Sequence, residues 1–307
     1  MTRPEFPLIW DNSMRSALVS CPWKFEKEYM EHYRSLTPSI HLHAGKAFAA
    51  GLEAARFAYY RDGKEQDESA ALGVRALMES YGDFEAPPGS PKSLHRMLEA
   101  LAYYFAVFPF ANDPAQPYMG RTGPMVEFSF ALPLDDSLRH PVTGEPLLYT
   151  GRADMVATFA GALTIYDDKT ASSLGQSWAN QWDRRSQFSG YCWAAQAMNL
   201  PVTQVLIRGI SILKTKIDHA ECISLRAPHH ISEWHTQAVR DIRRAITMWE
   251  EGYWDKNLAD ECSSFGGCMF KSACGAKDPT PYFFSNFARR QWNPTTREEI
   301  PLEQGNV

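Results

Sequence analysis

No apolar run in the 307-residue sequence is long enough to span a bilayer: the longest, Ala100 to Ala111, is about half of what a membrane-crossing helix needs. The first residues, Met1-Thr2-Arg3-Pro4-Glu5-Phe6, lack the apolar segment of a secretory signal, so a cytosolic protein is expected. Repeats, low-complexity blocks and long linkers are missing as well. Positive charge is not in excess, with 31 Lys and Arg against 36 Asp and Glu and a net charge of −5. That excludes the basic footprint of a nonspecific nucleic-acid coat. It does not exclude action on nucleic acid, because metal ligands are carboxylates and a local basic groove can carry phosphates. Cysteine is scarce: six residues, which in a cytosolic chain are not expected to form disulfides. The remainder, 44% hydrophobic and 22% charged, excludes disorder and collagen-like repetition and is enough for a substantial core.

Periodicity sets the organisation. Asn12 or Ser13 can cap a helix predicted over 13–33, with Leu18, Phe25 and Tyr29 at helical spacing. Further helices are predicted over 45–60, 67–81 and 91–106. The pattern then changes to strands over 125–132, 148–159 and 163–168, with Ala160-Gly161 as a turn. A helix over 187–198, a buried strand over 202–212 and a long amphipathic helix over 231–254 follow, and 275–307 reads as extended wrapping. The expectation is a single α/β domain over 1–307 with a small mixed sheet flanked by helices. Within it lie a helical subdomain over 13–110, a catalytic core over 120–255 and a C-terminal segment over 256–307.

The most informative stretch is Gly151-Arg152-Ala153-Asp154, followed by Tyr166-Asp167-Asp168-Lys169-Thr170. Strand alternation puts Asp167 and Lys169 on one face and Asp168 on the other. Asp154, on the preceding strand of the predicted hairpin, is close enough to meet Asp167. Two carboxylates and an ammonium then converge, a hard-oxygen set suited to Mg²⁺ or Mn²⁺. Such an ion polarises a phosphodiester and acidifies bound water, and Lys169 offsets charge on the phosphate. Asp154, Asp167 and Asp168 are the candidate metal ligands. A surface strand end carrying a salt bridge is the bland alternative.

Gly-Arg-Ala-Asp followed by Tyr-Asp-Asp-Lys-Thr resembles the PD-(D/E)XK nucleases of the RecB-type branch, and Gln187-Phe188-Ser189-Gly190-Tyr191 is similar to that branch's Gln-x-x-x-Tyr motif. The resemblance implies a restriction-endonuclease-like fold and a metal-dependent deoxyribonuclease, more an exonuclease than an endonuclease. Gln187 and Tyr191, one helical turn apart, would touch the substrate strand or buttress the metal site. Glu127 resembles an acidic residue found upstream in the family.

Cys262, Cys268 and Cys274, at five-residue gaps, suggest a metal or cluster site, whereas lone Cys192 and Cys222 read as small buried residues. With Cys21 in Cys21-Pro22-Trp23, the triplet resembles the ligands of the iron–sulfur members of this branch. A [4Fe–4S] cluster joining both ends of the chain as a clasp is implied, with zinc the other ion that four thiolates could take. The Phe265-Gly266-Gly267 insertion resembles phage or prophage-like members, similar to CRISPR-associated iron–sulfur exonucleases.

One departure stands out. The family's early helix carries Gly-x-x-x-His, but after Gly45 the histidine's place holds Ala49, and His41 and His43 precede the helix. That leaves a site with fewer ligands, an inactivating substitution, or a catalytically weak DNA-binding or adaptor protein. The expected partner is DNA, single-stranded or with free ends, alongside a recombination or repair protein, and no membrane. Candidate phosphate contacts are Arg184, Arg185, Lys214, Lys216, Arg240, Arg243 and Arg244. Trp182, Trp193, Trp234 and Trp249 are candidates to stack bases, or else core.

Overall fold

The structure is a computed structural model that describes residues 3–37, 39–258, 260–263 and 267–302. Its strands are β1 (Ile9–Trp10), β2 (Tyr33–Ser35), β3 (Gln116–Pro117), β4 (Met119–Gly120), β5 (Gly123–Pro124), β6 (Val126–Pro133), β7 (Leu148–Phe159), β8 (Ala162–Ala171), β9 (Gln204–Ile212), β10 (Ile217–Leu225), β11 (Phe287–Asn293) and β12 (Glu298–Pro301). The helices are α1 (Asn12–Ser20), α2 (Pro22–Phe25), α3 (Ile40–Arg56), α4 (Gln66–Tyr81), α5 (Leu94–Val107), α6 (Gln176–Asn180), α7 (Ser186–Ala197), α8 (Pro228–Glu251), α9 (Lys271–Gly275) and α10 (Thr280–Asn286). The fold is mixed α/β, and the chain divides into two compact units: Pro38–Ser129 with Arg152–Ile231, and Met1–Thr37 with Phe130–Gly151 and Ser232–Val307.

The first of these holds the sheet that matters for chemistry. Its β7 and β8 form a hairpin whose turn residues, Ala160 and Gly161, both have positive φ (49° and 77°). That is the primed turn whose twist matches two paired strands. β8 then runs parallel to β9, and β10 returns antiparallel. β9 is buried from Val205 to Ile212, as a strand covered on both faces must be. The edge strand β10 was not predicted. Its one buried residue is the polar Ser224, while Ile223 and Leu225 are exposed, so it gives a weak apolar signal.

Helices cover both faces. α3 buries Ala44, Ala47, Phe48, Leu52 and Ala55, and α5 buries Met97, Leu101, Tyr104 and Phe105, both at helical spacing. These pack with Leu77 of α4 and Ile210 and Ile212 of β9. α3 and α4 approach so closely that a Cβ on Gly73 would lie 2.6 Å from the Gly51 carbonyl oxygen, so only glycine fits. α7 lies on the opposite face, with Phe188 near Lys169 and Tyr191 bonded to β7.

In the second unit the helix predicted over 13–33 is interrupted. α1 ends at Ser20, Cys21 is extended (φ −163°), α2 begins at Pro22, a five-residue π-type turn covers Glu26–Met30, and Tyr33 belongs to β2. The cause is Pro22, which cannot continue the preceding ladder and forces the residue before it out of the helical region. Ring stacking then fixes the segment, with Trp10 on Phe25 at 5.0 Å and Tyr33 on Phe283 at 4.2 Å. The C-terminal stretch forms α10 and a β2–β11–β12 sheet. Among the described residues no helix is long and apolar enough to cross a membrane.

Candidate functional site

β8 separates two groups of side chains by simple alternation. On one face, Asp167 forms an ion pair with Lys169, two residues on, and Asp167 is 2% exposed. On the other, Asp168 is held by Arg56 of α3 and accepts the Tyr166 hydroxyl at 3.0 Å. Both Asp168 oxygens are thus engaged with Arg56 and Tyr166, away from Lys169, so its carboxylate is not among those gathered for a metal. Its backbone N–H faces the site instead and donates to Asp154 Oδ2 at 2.7 Å. This bond occurs just where the β7–β8 ladder ends, since Met155 opposite Tyr166 is its last pair. The strands part there, and the Asp154 carboxylate takes the freed donor.

Electrostatics ties further acids to Asp154. Glu127 of β6 pairs with Arg152 Nε at 3.1 Å, and Arg152 reaches Glu53 of α3 at 3.4 Å. Burial pushes the Glu127 carboxyl up to about 8, and the negative charges of Asp154 and Glu53 push the same way. Glu127 also sits at φ 52°, a left-handed conformation that non-glycine residues hold only under constraint. Asp167 is raised to about 7, first by burial; Lys169 opposes the rise and Asp154 adds to it. Burial works against the charge on Lys169, but Asp167 and Asp154 outweigh it and hold the ammonium above its ordinary value. Glu53 was not singled out from the sequence; its place one turn after Ala49 on the α3 stripe was the available signal. Ala49 itself is exposed.

Gln187 and Tyr191 form a prop rather than reaching outward. Gln187 Nε2 donates to the Tyr191 hydroxyl at 2.9 Å, and that hydroxyl donates to the Arg152 carbonyl oxygen at 2.8 Å. The pair therefore fixes β7 two residues before Asp154. Beneath Asp168 lies a buried polar network. Arg208 of β9, fully buried, pairs with Asp113 at 2.7 Å and Glu221 at 2.7 Å and packs 3.5 Å from the centre of the Phe108 ring. Tyr104 joins Arg208 to Arg56 and Tyr166.

Of the two lone cysteines expected to be buried, Cys192 is and Cys222 is half-buried. Cys192 is buried at α7, and Cys222 Sγ contacts the Ala179 carbonyl oxygen at 3.7 Å. Cys21 Sγ accepts the Asn257 N–H at 3.5 Å, while Cys262 Sγ donates to the Asn257 carbonyl at 3.7 Å. Burial raises the Cys268 thiol, and the proximity of Cys21 and Cys262 raises it further. Cys274 lies one helical turn after Phe270. Four soft thiols are the right donor chemistry for an iron–sulfur cluster or zinc. Among the described residues, however, no three His, Cys, Asp or Glu side chains stand close enough together to hold a metal ion. Of the Phe265-Gly266-Gly267 insertion, the first two residues lie outside the described ones.

The basic candidates lie in both units. Arg184 and Arg185 are exposed before α7, and Lys216 pairs with Asp218 at 2.6 Å. Arg240, Arg243 and Arg244 line a groove of about 430 Å³ on α8, where Arg244 pairs with Asp255 and Arg243 donates to Ser137. Trp234 packs edge-on against Tyr149, and Trp249 lies under Arg3, so both are unit core rather than stacking platforms. Trp182 is buried but lines a cavity next to Lys169.

The sequence pattern of the PD-(D/E)XK nuclease superfamily matches residues 13–275. No curated protein matches the chain. Among solved structures, the fold is similar to that of a candidate exonuclease from Eubacterium rectale, at 13% identity and a TM-score of 0.48, covering 87% of this chain and 93% of that one. It is also similar to SSO0001, at 15% identity and a TM-score of 0.33, covering 86% and 95%. A match running from the first helix to the last cysteine, over a sheet that carries Asp154, Asp167 and Lys169 in order, places this chain in the PD-(D/E)XK nuclease superfamily.

Proposed function

We propose that the chain is a Mg²⁺- or Mn²⁺-dependent deoxyribonuclease of the RecB-type, iron–sulfur branch, hydrolysing phosphodiester bonds at DNA ends. The observation that carries this reading is the grouping of Asp154, Asp167 and Lys169 where β7 and β8 part, with Glu127 coupled to them by charge. Hard carboxylate oxygens fit either ion; burial first, and then the negative charge of Asp154, raises the Asp167 and Glu127 carboxyls, and a divalent cation offsets both. Asp154 and Asp167 are the residues that would hold it, with Glu127 adding negative charge nearby; when bound, the ion polarises the phosphodiester and acidifies water. Lys169 offsets charge growing on the phosphate oxygens. Tyr191 and Gln187 keep β7 in place, and Asp168, clamped by Arg56, keeps its N–H on Asp154.

Cys21, Cys262, Cys268 and Cys274 would hold a [4Fe–4S] cluster tying the N-terminal helices to the segment after α8. Support comes from Asn257, bonded to both Cys21 and Cys262, and from the electrostatic contact of Cys268 with each. A second reading, a DNA-binding protein without cleavage, rests on the exposed Ala49, which offers no imidazole.

Labelled single- and double-stranded DNA incubated with Mg²⁺ or Mn²⁺ tests both readings. Wild-type protein should degrade it from the ends, and Asp154→Ala and Lys169→Ala should abolish cleavage while leaving the fold intact by circular dichroism. Cleavage that survives both changes removes the chemistry from these residues. An inert wild-type protein that still binds DNA supports the second reading. Anaerobically purified protein should contain about four iron atoms per chain; an iron-free preparation removes the cluster.

A further inference from the structure

Beside Lys169 opens a cavity of about 490 Å³, within the usual range of ligand pockets. Lys92, His41, Ser177, Trp178 and Trp182 share its wall with Lys169. Three of these carry buried hydrogen-bond donors with no acceptor: Lys92 Nζ, Trp178 Nε1 and Trp182 Nε1. Lys92 is 4% exposed, Trp178 5% and Trp182 7%. Each orphaned donor forgoes its water without return, and a buried unpaired ammonium is the most unfavourable of them. Lining residues otherwise contribute hydroxyls and one amide, and no described carboxylate lines the space. The hydroxyls and the amide can donate or accept, so the charge of the wall is set by Lys92 and Lys169, which favour an anion.

The setting is built around these groups. The Lys92 carbonyl accepts the Tyr81 hydroxyl at 2.8 Å, and its N–H donates to Ser90 Oγ at 3.1 Å, so the backbone that aims the ammonium is fixed. Trp178 is seated against Gly209 of β9, where any Cβ would collide with the indole ring. The Trp178 and Trp182 rings meet edge to face at 5.9 Å. This geometry holds the indoles by their rings and leaves their N–H groups free.

We propose that this cavity binds the terminal phosphomonoester of the nucleic-acid strand whose neighbouring phosphodiester lies at Asp154, Asp167 and Lys169, and so selects phosphorylated ends; the proposal rests on the nuclease reading above. Number and charge favour a monoester. It has three free oxygens and a charge of about −1.5 to −2, matching three orphaned donors and the adjoining Lys169. An internal phosphodiester offers two free oxygens and a single charge. Lys92 supplies the countercharge, and the two indoles fix the direction of approach.

Fluorescence anisotropy with a short labelled oligonucleotide tests this, using 5′-phosphate, 3′-phosphate and hydroxyl ends in EDTA so that binding is read apart from cleavage. Wild-type protein should bind one of the phosphorylated forms about tenfold or more tightly than the hydroxyl form, as expected of charge-assisted bonds. Lys92→Met should bring that ratio close to one, and Trp178→Phe or Trp182→Phe should reduce it. Equal wild-type affinity for all three ends overturns the proposal, whatever the variants do. So does a Lys92→Met protein that weakens equally toward all three, because the cavity then holds an internal phosphate. A protein that never cleaves DNA yet keeps the end preference refutes the nuclease reading and leaves the pocket standing.

Discussion

Replacing Lys92 by Met should stabilise the protein at neutral pH, and the gain should fade as the solution becomes alkaline. Burial lowers the Lys92 ammonium from its ordinary 10.5 to about 8, and its Nζ has no partner. At about 1.36 kcal/mol per pH unit, that depression corresponds to roughly 3 kcal/mol of unfavourable charge burial. Below pH 8 the group is protonated in both folded and unfolded chains, so the full cost is present. Between about 8 and 10.5 the unfolded chain binds more protons than the folded one, and wild-type stability rises with pH. Above 10.5 the amine is neutral in both states and the cost is gone. Met keeps the length and apolar stem without the charge. Lys92→Met should therefore raise stability by up to about 3 kcal/mol at pH 7, by less at pH 9, and by almost nothing at pH 10.5. Urea unfolding of both proteins at the three pH values, with midpoints compared at equal slope, reads the difference. A variant less stable than wild type at pH 7, or a difference that does not change with pH, refutes the claim that this ammonium is buried alone.

Two further outcomes follow from the surrounding structure. Arg208→Met should destabilise the protein by roughly 3–5 kcal/mol in urea, because it leaves the buried Asp113 without its countercharge; a midpoint near wild type would show the network to be dispensable. Ala49→His should leave the melting temperature unchanged, since Ala49 is exposed, and should tighten Mn²⁺ binding by calorimetry, because imidazole is a good ligand for that ion. Unchanged Mn²⁺ affinity would remove α3 from the metal site.

Local chemistry made much of the molecule legible. The β7–β8 turn follows from Ala160-Gly161, the opposed faces of Asp167 and Asp168 follow from strand alternation, and α3 and α5 follow from apolar spacing. Each depends on neighbours within a few residues, where sequence and structure share one periodicity. Pro22 also carried the break after α1, although the apolar spacing on either side of it reads as one helix. What no window of sequence contains is the pairing of distant parts. Arg56 meets Asp168 across 112 residues, and Arg208 meets Asp113 across 95. Glu53, Glu127 and Arg152 become one charge cluster only when three elements are packed side by side. Lys92 illustrates the difference most fully. In the sequence it is one lysine among serines and prolines, a solvated loop residue by every local rule. Only the tertiary fold takes its ammonium out of water and sets it on the wall of one cavity with Trp178, Trp182 and Lys169.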